Sequence, residues 1–240
     1  MIDVNHLYKR FEDLEVLHDV NLHVDRGECV VFIGPSGSGK STSLYSFLHE
    51  VNTIDVRIMT AEDPIEYHMA GINQVQMQSD IGMTFARALR AFLRQDPDII
   101  AVGEIRDGET AEIAMRAAIT GHIVLSTVHT NDAVGTIERL EDIGVEPYLV
   151  ASALKGVFSQ RLVRRICPNC RKPYNPTEEE QTELGLTYDP ERVFYRGSGC
   201  PECFDTGYRG RTAVFEILPL SVQVRRMIAK NANREQLEAM

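Results

Sequence analysis

Residues 29–41 read Cys-Val-Val-Phe-Ile-Gly-Pro-Ser-Gly-Ser-Gly-Lys-Ser, an order that few folds accept. The first five residues are uninterruptedly apolar, as in a strand covered on both faces. The next eight fit GxxxxGKS at Gly34, Gly39, Lys40 and Ser41. Loops of this pattern turn successive backbone N–H groups toward phosphate, with the positive end of the following helix behind them. Gly34, Pro35, Ser36, Gly37, Ser38, Gly39, Lys40, Ser41 and Thr42 are therefore expected to hold ATP. Lys40 would sit against the β- and γ-phosphates, and Ser41 would offer its hydroxyl to Mg²⁺. A chance Gly/Ser-rich loop is the bland alternative. It is disfavoured by the buried-type strand before the loop and the helical pattern after it.

Downstream, strand and helix patterns alternate. Strands are expected over 56–60, 99–103 and 123–128, and helices over 84–95, 108–120 and 132–143, with a closing helix over 148–165. Such alternation predicts an α/β fold with a parallel sheet covered on both faces. Ahead of the loop, residues 2–33 read as an antiparallel β segment. Four stretches follow: a β-rich segment over 1–33, a phosphate-loop core over 34–166, a cysteine-bearing unit over 167–212, and a strand with helices over 213–240. The formal net charge of -10 argues against nucleic acid as the main partner. No apolar run approaches the roughly 18 residues that span a bilayer, and no signal-peptide pattern is present. A cytoplasmic location is the expectation.

A nucleotide hydrolase needs carboxylates at the C-terminal edge of its sheet. The strand at 56–60 runs into Ala61-Glu62-Asp63, and that at 99–103 into Glu104. Gly103 stands where such a strand usually carries a metal-binding Asp, so Glu104 is expected to reach Mg²⁺ through water. Glu62 is then the better candidate general base. Carboxylates also end strands simply because those loops are solvated, and the phosphate loop weakens that account here. His122 and His129 flank the third strand seven residues apart and would face opposite ways on a regular strand, which predicts different jobs. Either a γ-phosphate sensor or a structural histidine fits each position. Arg87, Arg90 and Arg94 share one helix face, as a solvated stripe or as a contact with a neighbouring subunit or its nucleotide.

Cys167-Pro-Asn-Cys170 and Cys200-Pro-Glu-Cys203 are two CxxC turns separated by 29 residues. Four soft ligands paired in this way suit tetrahedral Zn²⁺ in a closed, structural site. The gap is longer than usual and needs a loop or short helix within it. Arg161, Arg164, Arg165, Arg171 and Lys172 are near in sequence to offset thiolate charge. Cys29, inside the apolar strand, reads as a core residue.

Several blocks together resemble a known family. Ala61-Glu-Asp-Pro-Ile-Glu-Tyr67, Leu93-Arg-Gln-Asp-Pro-Asp-Ile-Ile100 with Val102-Gly-Glu-Ile-Arg-Asp107, Gly121-His122 through Asp132, the four cysteines and Gly207-Tyr-Arg-Gly-Arg-Thr212 are similar to the ATPase region of type II secretion ATPases and type IV pilus assembly motors. The resemblance covers about residues 42–239. It implies a RecA-like core, ATP hydrolysis, homohexamers, and a platform protein at the inner membrane to which the motor is peripheral. Residues 1–41 instead resemble the start of an ABC-transporter ATPase, in which Phe11 would stack on adenine. The LSGGQ signature of a complete ABC ATPase is absent, so a transporter subunit is excluded, and the two resemblances join at the phosphate loop as in a chimera. Secretion motors carry an N-terminal domain that supplies arginines to the nucleotide, and this chain is expected to lack it. Two expectations follow: a motor ATPase core of weakened turnover, or a nucleotide-binding module with little hydrolysis.

Overall fold

A computed structural model describes the backbone of residues 2–11, 14–35 and 37–239, with side chains for residues 21, 23–35 and 37–239. The side chains of Phe11 and Ser36, expected at adenine and phosphate, lie outside these described residues. In chain order the strands and helices are β1 (Ile2–Phe11), β2 (Leu14–Val24), β3 (Cys29–Ile33), α1 (Lys40–Val51), β4 (Ile58–Glu62), β5 (Asn73–Gln76), α2 (Phe85–Phe92), β6 (Ile99–Val102), α3 (Gly108–Ile119) and β7 (Ile123–Val128). There follow α4 (Ala133–Asp142), α5 (Pro147–Ala153), β8 (Leu154–Ile166), β9 (Arg171–Tyr174), α6 (Glu178–Glu183), β10 (Phe194–Gly197), β11 (Tyr208–Pro219), α7 (Val222–Ile228) and α8 (Arg234–Glu238).

Seven strands form one sheet in the order β11-β8-β3-β7-β6-β4-β5, and β1 pairs with β2 separately. From β8 to β5 every pairing is parallel. The chain leaves β3, crosses by α1 to β4, returns through β6 and β7 toward β3, and then passes to β8 on the other flank of β3. The C-terminal ends of all these strands therefore lie along one edge, where open α/β sheets bind ligands.

The sidedness of β3 shows why its apolar run is unbroken. Cys29, Val31 and Ile33 enter one core cluster with residues of α2, α3, α4, α5, α7 and α8. Val30 and Phe32 enter another with Leu44, Phe47 and Leu48 of α1. Helices thus cover both faces, as the alternating pattern implies. Cys29 is a buried core residue whose thiol is pushed up to about 12 by that burial.

One expected element is corrected. The helix over 148–165 ends at Ala153, and residues from Leu154 onward form β8. The run Leu154-Lys-Gly-Val-Phe158 is short and only partly apolar, a pattern that fits helix and strand equally. The decisive interaction is non-local: Leu154 to Ser159 pair in parallel with the otherwise open flank of β3. The polar edge strand β5, Asn73-Gln-Val-Gln76, carries no apolar pattern that marks it in the sequence.

The chain divides into two compact units, one of residues 1–9, 17–161 and 213–240, the other of residues 10–16 and 162–212. In the second, β9 pairs antiparallel with β10. Tyr174 meets Phe194 edge-on at 6.2 Å, and the Arg171 guanidinium lies 3.5 Å from the centre of the Tyr195 ring. The interval between the CxxC turns thus holds a hairpin and the helix α6. That helix is fixed by reciprocal Thr177 and Glu180 capping bonds.

Candidate functional site

Ile33 delivers the chain to the phosphate loop with Gly34 at φ 143°. A β-carbon there would lie 2.3 Å from the carbonyl oxygen of Gln160 and 2.7 Å from Ser38 Oγ, so only glycine fits. Gly39, at φ 84°, begins α1 without any side-chain cap. The first-turn N–H groups of α1 are therefore left for a ligand. Ser41 and Thr42 are half-buried in that first turn, while Pro35 and Gly37 are exposed. Lys40 is buried; its Nζ donates to Gly34 O and lies 3.2 Å from His129 Nδ1. Burial lowers the Lys40 pKa from its ordinary value, with the Glu104 charge opposing the shift. Behind the loop, Ser43 Oγ donates to Gln160 Oε1 at 2.7 Å. Among the described residues, Ser38 Oγ and Gln160 Nε2 are buried without a partner.

The other polar groups come from the ends of neighbouring strands. Strand β7 lies between β3 and β6, so His129, just past β7, stands between Lys40 and Glu104. His129 Nε2 is 3.5 Å from Glu104 Oε2. Arg106 pairs with Glu104 and lies 3.8 Å from Asp63. Gly103, the departure noted in the sequence, has a local cause. Its N–H donates to Ala61 O at 2.7 Å, and a β-carbon would come within 3.1 Å of that same oxygen.

Glu62 ends β4 and is 8% exposed. Oε1 accepts from Thr60 Oγ1 and, at 3.0 Å, from Gln74 Nε2; Oε2 accepts from Tyr45 OH. All three donors are neutral. No hydrogen bond among the described residues links Glu62 to the Lys40–His129–Glu104 series, although β4 and β6 are adjacent.

His122 is elsewhere. It precedes β7, at the opposite end of that strand from His129, with Nδ1 3.0 Å from Ala117 O and 3.3 Å from Thr120 Oγ1. The two histidines are seven residue steps apart along the strand, about 23 Å. Arg87 and Arg90 of α2 and Arg94 just past its end are exposed and engaged: Arg87 donates to Gly82 O, Arg90 to Glu109, and Arg94 to Arg90 O. Four polar partners, Tyr45, Arg106, Gln74 and Gln160, join the site beside the residues expected from the sequence. Tyr45 had a signal, because it follows Ser41 by four residues on one helix face. Arg106 had its closeness to Glu104. Gln74 and Gln160 had none.

In the second unit the Sγ atoms of Cys167, Cys170, Cys200 and Cys203 all lie within 4.8 Å of one another. Cys167–Cys200 and Cys170–Cys203 are 3.8 Å apart and Cys200–Cys203 3.6 Å, and none is disulfide-bonded. Ligands about 2.3 Å from a tetrahedral Zn²⁺ stand about 3.8 Å apart, so the cluster has the dimensions of such a site. The Gly207 N–H points at Cys203 Sγ at 3.3 Å, a contact that favours thiolate.

A phosphate loop on the central strand of a mainly parallel sheet, with acidic residues at the neighbouring strand ends, defines a RecA-like P-loop nucleotide-binding core. A family model described as Type II/IV secretion system protein matches residues 10–240, and the chain belongs to that family. The match begins well before residue 42, so it takes in most of the segment that resembles an ABC ATPase. The type IV pilus assembly ATPase PilB of Myxococcus xanthus is 51% identical over 90% of this chain and 39% of its own length. The type II secretion system protein E of Aeromonas hydrophila is 51% identical over 83% of this chain and 40% of its own. The chain thus spans about two fifths of these relatives (39% and 40%). Among solved structures, the pilus retraction motor PilT with bound ADP superposes with a TM-score of 0.66 at 33% identity, covering 91% of this chain and 54% of PilT. The Legionella pneumophila ATPase DotB, at 21% identity and a TM-score of 0.60, shares the fold.

Proposed function

We propose that this chain is the ATP-hydrolysing core of a secretion or pilus motor. The observation that carries the proposal is the series Lys40–His129–Glu104 at the mouth of the phosphate loop. In this reading Gly34 to Thr42 cradle the triphosphate and Lys40 leaves Gly34 O for the γ-phosphate. His129, between Lys40 and Glu104, senses that change. Ser41 and Glu104 offer hard oxygen donors suited to Mg²⁺, which when bound would neutralise charge on the β- and γ-phosphate oxygens. Water attacks the γ-phosphorus, the bond to the β-phosphate oxygen breaks, and the water proton passes to Glu62. Three neutral donors hold that carboxylate without a cation to quench it. His122 serves the end of α3 through Ala117 O. Zn²⁺ on the four cysteines would be structural, because all four positions are protein ligands.

Family membership supports a homohexamer that works in the cytoplasm against an inner-membrane platform protein. No helix among the described residues is long and apolar enough to cross a membrane. The test is phosphate release with ATP and Mg²⁺, run beside light scattering. Turnover at least about 100-fold above that of Lys40→Ala is expected, given the electrostatic work asked of such a lysine. Equal release by the two proteins would overturn the proposal.

A further inference from the structure

We infer that Tyr45 is a positioning residue for hydrolysis, holding the Glu62 carboxylate in register with Ser41. The inference rests on the role given to Glu62 above. Tyr45 and Ser41 are four residues apart on α1 and therefore share a helix face. Ser41 stands in the first turn of α1, where the phosphates are proposed to bind; Tyr45, one turn further on, is 4% exposed and reaches the end of β4. Its hydroxyl donates to Glu62 Oε2 and accepts from the Glu66 N–H at 3.2 Å. Its ring stacks on Tyr67 at 4.1 Å with 29° between planes. One side chain thus ties the phosphate-loop helix to both ends of the segment 62–67.

Thr60 and Gln74 fix Oε1 from β4 itself and from β5, so neither relates Glu62 to the nucleotide. Only Tyr45, among the described donors to Glu62, comes from the helix that carries Ser41. Burial, then the bond to Glu62, raises the Tyr45 pKa above its ordinary value, consistent with a hydroxyl that donates to the carboxylate. A general base must stand within hydrogen-bond reach of its water, and small misplacements cost rate rather than binding.

Tyr45→Phe keeps the ring and removes both hydroxyl bonds. Steady-state phosphate release, ADP affinity and melting temperature are measured for this variant, for Glu62→Gln and for the double variant. Tyr45→Phe is expected to lower kcat about 10- to 100-fold. KM and ADP affinity stay within about twofold, because nucleotide binding uses other groups. In the Glu62→Gln background the same change alters kcat by less than about twofold, since a residue acting through another has nothing left to act on. Unchanged kcat in Tyr45→Phe, with Glu62→Gln impaired, overturns the role of Tyr45 alone. An equal loss in both backgrounds does so too. Wild-type kcat in Glu62→Gln overturns the role of Glu62 and the inference with it. If the phenylalanine variant loses ADP affinity and melts early, the hydroxyl is a fold element, and the inference is likewise overturned.

Discussion

At Gly34 the backbone conformation and the 2.3 Å approach to Gln160 O leave no room for a side chain. Gly34→Ala should therefore lower stability by about 2 kcal/mol or more, through strain and steric conflict together. Urea unfolding measures that loss, and a change under about 0.5 kcal/mol would show that β8 yields freely. Gly103 is less constrained, because its hypothetical β-carbon would stand 3.1 Å from Ala61 O, a contact that small movements relieve. The loop glycines were legible in the sequence because a tight strand-to-helix turn imposes backbone geometry, and backbone geometry selects glycine. Glu62 and Glu104 were legible because strand ends are visible as changes in hydropathy. The partners of Glu62 were not, since nothing in a run such as Asn73-Gln-Val-Gln76 says which carboxylate it will face. His122 and His129 were expected to have different jobs, and the direction of β7 shows which of them stands beside Lys40.

Among the elements, α4 and α8 are joined by a charged clasp. Asp132 caps α4 through the Gly135 N–H at 2.8 Å and accepts from Arg234 at 3.0 Å, while Arg234 also lies 3.5 Å from Glu138. Burial alone would raise the Asp132 pKa, but the Gly135 N–H and Arg234 outweigh it and hold the carboxyl below its ordinary value. A carboxylate with a depressed folded pKa contributes stability above its unfolded pKa and loses it as pH falls through the folded one. The melting-temperature gap between wild type and Asp132→Asn should therefore be full at neutral pH and close below about pH 4. A gap that widens on acidification would contradict the sign. The N-cap of α3 gives a simpler check: Asp107 accepts from the Thr110 N–H at 2.8 Å, and Asp107→Ala should cost about 1 kcal/mol in urea unfolding. Capped, strongly periodic helices such as α3 and α4 are read from sequence almost to the residue. The passage from α5 to β8 is not, because β-structure at Leu154 depends on a strand 125 positions earlier in the pairing with Cys29.

Across the whole molecule, the two compact units are built on different physics. The first has large apolar clusters on both faces of its sheet. The second has no comparable cluster among its described residues; its buried apolar group is Cys167, Cys170 and Cys203, with Cys200 packed against it. Small units without a sizeable core need a metal or cross-links. Zinc removal by a chelator should accordingly make residues 162–212 protease-sensitive, with about one Zn per chain released. Retained zinc in a Cys167→Ser/Cys200→Ser double variant would refute the ligand set. In the first unit, the strand ends around the phosphate loop are proposed to hydrolyse ATP rather than merely hold it. Glu104→Gln separates the two most directly, with fluorescent-ATP binding and phosphate release followed on the same protein. Binding is expected within a few-fold of wild type and turnover reduced by at least about 100-fold. Turnover equal to wild type in that variant would contradict hydrolysis at these strand ends.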